Sequence, residues 1–383
     1  MFASYVELPF YPGPVTLHPA AAEALRRDYG PPRFGTEYLQ LYKATCGMLR
    51  RFAGTEHEVV LPTGEGMVAL WGAMKSVLKP GDMVLSVGTG VFGDGFADMA
   101  AAMGCRAEKI SLPYDSTIDE RALELVDEAI RRVRPVLLTA VHCETPSGTL
   151  NPLEALGCLK AEHGVPLFAV DAVASLGGAR VEADAWHVDM LLGGSQKCFG
   201  CPADMSMVAV SDAAWARMAE VGYQGYDALL PFHGAEADAM RFPYTPNWFG
   251  VAALHAAASA MLDEGLEQIF TRHEAVGQQC REGLARIGLK LWTRPEAVNS
   301  PTVTAACVPE GVEWPVWRDE LARRGLVVGG SLGPMAGRVF RLGHMGPQAD
   351  AARMERALCV MREALAYLRA QHVASPVQPV FRA

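Results

Sequence analysis

The chain has 383 residues, half of them hydrophobic, and a formal net charge of -9 at pH 7. That length accommodates two domains with a large core, while the acidic balance and the scattered Lys and Arg exclude a nucleic-acid footprint. No charged-then-apolar leader opens the sequence, and no run approaches the roughly eighteen apolar residues of a membrane span, so a soluble, cytoplasmic protein with neither nucleic-acid nor membrane partner is expected.

In chain order, Glu58–Pro62 reads as a strand running into the glycine turn Pro62-Thr63-Gly64-Glu65-Gly66, which opens an amphipathic stretch from Ala69 to Leu78. A strand over Met83–Val87 leads into Gly88-Thr89-Gly90, and Phe92 follows among small residues, suited either to stacking on a flat ring or to the core. Asp119 to Arg132 is helical in pattern. Strands over Val136–Val141 and Leu167–Val170 then end at His142 and Asp171. This alternation up to about residue 210 predicts an α/β domain with a mostly parallel sheet, whose ligand sites lie beyond the carboxyl ends of the strands. From about residue 250 long helical patterns, Val251–Glu264 and Gln268–Ile287, precede short strands near Ser300–Val308 and Val339–Leu342. We expect an N-terminal arm over 1–18, a large domain over 19–255 and a smaller α+β domain over 256–383. The tail after Gln371 lacks periodicity and is expected to be loosely held.

Nine dispersed cysteines favour reduced packing residues, with Cys105, Cys143 and Cys158 in buried-looking segments. Cys198 and Cys201 form a CxxC, read as small residues in a turn because no further zinc ligands stand nearby.

Lys197, behind Gly193 and Gly194, and Asp171, at a strand end, carry the sharpest signal. A lysine can form a Schiff base, and a carboxylate beside a pyridinium nitrogen keeps that nitrogen protonated, so the pair points to an amine-handling enzyme with a pyridoxal-type ring. Asp171 has a plainer reading as a helix N-cap, and Lys197 as a surface lysine. The turn at Gly64, Glu65 and Gly66 would place free amides and a helix dipole at an anion or polar oxygen. Arg341, after an apolar strand, suits bidentate capture of a carboxylate or a structural salt bridge.

The order of these motifs, from Pro12-Gly13-Pro14 through His142-Cys143-Glu144-Thr145, Asp171-Ala172-Val173, Gln196-Lys197 and Tyr244-Thr245-Pro246 to Arg341-Leu342-Gly343, resembles the class V aminotransferases of fold-type I. The resemblance covers nearly the whole chain. It implies a fold-type I α/β fold and transfer of an amino group to a small 2-oxo acid, pyruvate or glyoxylate, from an amine substrate. The cofactor it implies is pyridoxal 5'-phosphate. By the same resemblance Lys197 is the Schiff-base lysine, Asp171 the ring-nitrogen partner, and Phe92 and Val173 the two ring faces. Thr145 bonds the phenolic oxygen, and Gly64, Glu65, Gly66 and Gln196 surround the cofactor. Arg341 takes the substrate carboxylate, and Thr245 reaches the neighbouring subunit's site in a homodimer.

Three positions depart from the family's pattern. Glu65 stands where a small hydroxyl residue is usual, Phe242 where a phosphate-touching tyrosine is usual, and Leu332 where the pyridoxamine/pyruvate members carry a second arginine. A like-charge pair at about 4 Å costs about 4 kcal/mol at an effective dielectric near 20, so Glu65 opposes a phosphate. The alternative expectation is a pyridoxamine/pyruvate aminotransferase for which unphosphorylated pyridoxamine or pyridoxal is substrate. A lyase or desulfurase on the same fold would need a mobile cysteine, for which Cys307 and Cys359 are poor candidates.

Overall fold

A computed structural model describes residues 7–30, 36–238 and 241–374. The strands are β1 (Leu8–Phe10), β2 (Glu58–Val60), β3 (Met83–Gly88), β4 (Arg106–Ser111), β5 (Leu137–Val141), β6 (Cys143–Glu144), β7 (Thr149–Leu150), β8 (Leu167–Asp171), β9 (Met190–Gly194), β10 (Ser206–Val210), β11 (Val303–Cys307), β12 (Leu326–Gly330) and β13 (Val339–Gly343). The helices are α1 (Pro19–Ala24), α2 (Thr36–Ala53), α3 (Gly66–Val77), α4 (Val91–Ala102), α5 (Glu120–Val133), α6 (Glu154–Glu162), α7 (Asp212–Val221), α8 (Trp248–Glu264), α9 (Leu266–Arg286), α10 (Trp314–Arg323) and α11 (Ala351–Ala374).

A seven-stranded sheet has the order β2-β10-β9-β8-β5-β3-β4, parallel except for β10, which pairs antiparallel with both β9 and β2. Its central strands are buried on both faces, which is why β5, β8 and β9 read as continuous apolar runs rather than alternating ones. One apolar cluster, including Phe168 and Val170, lies on one face, and a second, including Leu167 and Ala169, on the other. Alternate side chains of one strand thus enter opposite layers. The parallel strands all deliver their carboxyl ends to one edge, where β2, β3, β5 and β9 are followed by Glu65, Phe92, Thr145 and Lys197 and β8 ends in Asp171.

A four-stranded sheet, β1-β12-β13-β11, is backed by α9 and α11 around Trp317, Leu284 and Phe340. Its edge strand β1 comes from the start of the chain and pairs parallel with β12. The sequence pattern misses β1 because three residues, Leu8-Pro9-Phe10, are too few to show a period. The helical pattern after residue 250 resolves into α8 and α9, broken at Gly265, whose φ of +95° suits glycine. Helix α11 continues through Ala374, so the chain just past Gln371 is helical, and the tail beyond it lies outside the described residues. All nine cysteines are free, and Cys158, expected to be buried, is exposed on α6 because it falls on the solvent side of that helix. No helix among the described residues is long and apolar enough to cross a membrane.

Candidate active site

At the carboxyl edge of the large sheet a cavity of about 320 Å³ is lined by Glu65, Gly66, Phe92, Thr145, Asp171, Val173, Gln196 and Lys197, together with Met67, Leu70, Cys143 and the arm residues Gly13 and Pro14. Elements remote in sequence meet there because the parallel crossovers return each strand in the same direction. Gly64, Thr245 and Arg341 are not among the lining residues. Gly64, at φ +127°, shapes the turn, and its amide donates to Asp204 O at 2.7 Å. Thr245 is exposed.

Lys197 follows β9 in a turn and is partly buried, not a surface lysine. Its Nζ donates to the carbonyl of Pro12 at 2.6 Å. The arm passes so close that a Cβ on Gly13, which already has φ +100°, would stand 2.5 Å from that nitrogen. Burial, and then the positive charge of Arg341, lower the Lys197 ammonium to about 8, which brings the nucleophilic free amine close to neutral pH.

Asp171 ends β8 and is followed by a turn rather than a helix, so it is not a helix cap. Its Oδ1 accepts the amide of Val173 at 2.8 Å, and burial pushes its carboxyl up to about 6 against the opposing pull of that amide and of Lys197. A cationic ring nitrogen brought against it would favour the carboxylate. Val173 in turn packs on Gly66, where a Cβ would lie 2.7 Å from Val173 Cγ2. The missing side chain at Gly66 is what lets the Val173 side chain stand at the cavity wall.

At the far end of the cavity Glu65 caps α3. Its Oε1 accepts the amide of Met67 and its Oε2 accepts Nε2 of Gln196, each at 3.1 Å. One amide of this helix N-terminus and the side-chain donor of Gln196, both of which could greet an anion, are thus already bound to a carboxylate. Gln196 Oε1 is buried without a partner among the described residues. The tyrosine meeting this turn is Tyr244, whose hydroxyl accepts the amide of Thr63 at 2.9 Å. Phe242 packs edge-on against Tyr38 and Tyr42 instead.

Arg341 occupies the middle of β13, buried, opposite Gly329 and Ala305. Its Nε and Nη2 both donate to Gly330 O, at 2.9 and 2.6 Å, and it has no acidic partner among the described residues. Burial lowers it to about 10. The salt-bridge reading therefore fails, and a buried cation remains beside the site with part of its fork unused. Leu332 is exposed at the mouth of β12. Cys307 and Cys359 lie outside the cavity lining, leaving Cys143 as its one cysteine among the described residues.

Sequence reasoning assigned no site role to Gly13 and Pro14 or to Glu144, which is buried next to Thr145. The Pro-Gly-Pro tripeptide was a visible signal of a fixed backbone. Glu144 had none, since its partners are backbone amides far away in sequence.

The profile of the family described as aminotransferase class-V matches residues 27–339, and the chain belongs to that family, whose members work with pyridoxal phosphate. Among its relatives is a pyridoxamine–pyruvate transaminase of Mesorhizobium japonicum, 32% identical over 346 residues, covering 88% of this chain and 86% of that protein. The alanine–glyoxylate aminotransferase of Oryctolagus cuniculus is 32% identical over 313 residues, covering 79% and 78%. The fold also matches the crystal structure of the ureidoglycine–glyoxylate aminotransferase of Bacillus subtilis with a TM-score of 0.90 at 26% identity, over 99% of this chain and 96% of that one. This chain is accordingly a transaminase of fold-type I.

Proposed function

We propose that this enzyme moves an amino group from a small amine donor to pyruvate or glyoxylate, with a pyridoxal-type ring attached at Lys197. The observation that carries the reading is one cavity holding the buried Asp171 carboxyl, the Lys197 amine of lowered basicity, and Phe92 and Val173 on its walls. When bound, the ring supplies the electron sink for exchange of the amino group. Lys197 then holds and moves the proton at the substrate's Cα as base and acid, Asp171 keeps the ring nitrogen protonated, Thr145 orients the ring oxygen, and Arg341 receives the carboxylate. The relatives that act on pyruvate or glyoxylate support this choice of acceptor. Purified protein given an amine donor and each oxo acid should form the corresponding amino acid, and the K197A variant should form none. Turnover by K197A, or no product with either acid, overturns the reading.

A second reading has unphosphorylated pyridoxamine as the amino donor. It is favoured by Glu65, whose carboxylate takes the Met67 amide and the Gln196 donor that a phosphate could use, and it accords with the Mesorhizobium relative. Mass spectrometry of ligand released from the pure protein separates the two: pyridoxal phosphate in the first case, the free vitamer or nothing in the second. If Glu65 is the obstacle, E65S strengthens binding of pyridoxal phosphate at least tenfold relative to pyridoxal, and an unchanged ratio removes the argument.

We further propose a homodimer acting in the cytoplasm, with Thr245 serving the neighbouring site. The exposure of Thr245 outside its own cavity supports the first part, and nine dispersed free cysteines suit a reducing compartment. In this reading residue 18 ends the arm and residue 255 ends the large domain.

A further inference from the structure

Glu144 is a fully buried carboxyl on β6 with no cationic partner in hydrogen-bond reach among the described residues. Its Oε1 accepts the amide of Gly93 at 2.6 Å, and its Oε2 faces the amide of Phe92 at 3.4 Å. These amides belong to the first turn of α4, and the residue before that helix, Gly90, has no side chain with which to cap them. The first amides of a helix have no partner inside it, so Glu144 caps α4 from another strand. Two glycines make room for it: a Cβ on Gly90 would lie 2.5 Å from the Glu144 carboxyl, and one on Gly93 would lie 3.2 Å from Oε1. Burial, with Asp171 and Asp94 nearby, pushes this carboxyl up to about 8 against the two amides. Placing an acid there is costly, and what it achieves locally is to fix the backbone on both sides of the Phe92 side chain.

We propose that Glu144 is a positioning residue, whose carboxyl pins the first turn of α4 so that the Phe92 ring stands square to the cavity and sets the affinity for a pyridoxal-type ring. Because Glu144 precedes Thr145 in β6 and the following turn, one segment sets both the wall and an edge of the ring site. The inference rests on the reading of Phe92 as the stacking ring.

The test is a double-mutant cycle on the full-length protein, using dissociation constants for pyridoxal and pyridoxal phosphate from absorbance titration and the induced circular dichroism of the bound ring. F92A and E144A should each weaken binding tenfold or more. E144A/F92A should be no weaker than F92A alone. Paired with V173A, on the other wall, the E144A loss should instead multiply. E144Q keeps one acceptor for Gly93 and should fold, weaken binding less than E144A, and show the same non-additivity with F92A; it carries the test if E144A does not fold. Losses that multiply in the F92A background, or wild-type binding by E144Q and E144A, overturn the role of Glu144 alone. Wild-type binding by F92A overturns the reading of Phe92, and the proposal with it.

Discussion

Asp171 shows how a single side chain trades stability for chemistry. Burial raises its carboxyl from the ordinary range to about 6 in the folded chain, so the native state binds its proton more tightly than the unfolded state does. For an acid shifted upward, the ionised form costs stability: the cost is absent below the unfolded value near 4 and is fully present above about 6. D171N keeps the oxygen that accepts the Val173 amide and removes the charge. It should stabilise the ligand-free protein by about 3 kcal/mol at pH 8, with the gain vanishing near pH 4, while transaminase activity is lost. Urea unfolding at the two pH values measures the first, and product formation the second. Lys197 and Asp171 were legible in sequence because each follows an apolar strand, and that position in an α/β pattern marks a ligand edge. Arg341 was half legible: its residue type announced a carboxylate, but only the structure shows that no acid among the described residues occupies it.

At the scale of elements, turns and arms decide how closely side chains approach the ring. The arm matters most, since β1 clamps onto β12 and so delivers Pro12 and Gly13 to Lys197. Gly13→Ala adds a methyl 2.5 Å from Nζ at a φ of +100°, which strains both the backbone and the lysine. It should slow attachment of pyridoxal at Lys197 at least tenfold, read as the rate of the absorbance change on mixing, and shift the melting temperature by only a few degrees, because a loop substitution of this kind costs about 1–2 kcal/mol. The same scale explains what the pattern of hydrophobicity could not reveal. Strands β5 and β8 were found because they are buried on both faces, whereas β10 reads like its parallel neighbours and its reversed direction is set by the hairpin from β9. The cap on α4 was hidden because Glu144 and Phe92 lie on separate elements.

For the whole molecule the expectation is an obligate pair. A dimer would have twice the 41.2 kDa of the chain, and light scattering on the pure protein measures it. If Thr245 serves the partner's site, neither K197A nor T245A homodimers are fully active, but a mixed dimer contains one site with both native residues. Mixing the two variants under conditions of subunit exchange should therefore raise activity above that of either alone; activity that stays at the average of the two places Thr245 in its own subunit's site or in none.

The sequence by itself determined the alternation of strands and helices, the place of Lys197 and Asp171 at the carboxyl edge of the sheet, and membership of a family, since residue type and period are local properties. The far end of the cavity was half determined, because Glu65 reads as a misplaced charge in any fold. Only the tertiary structure decided which donors Glu65 occupies, that the arm covers Lys197, that Phe242 joins Tyr38 and Tyr42, and that Glu144 holds the turn carrying Phe92. Those contacts join positions tens to hundreds of residues apart, and hydrogen bonds to backbone amides place no demand on the partner's residue type that a sequence could record.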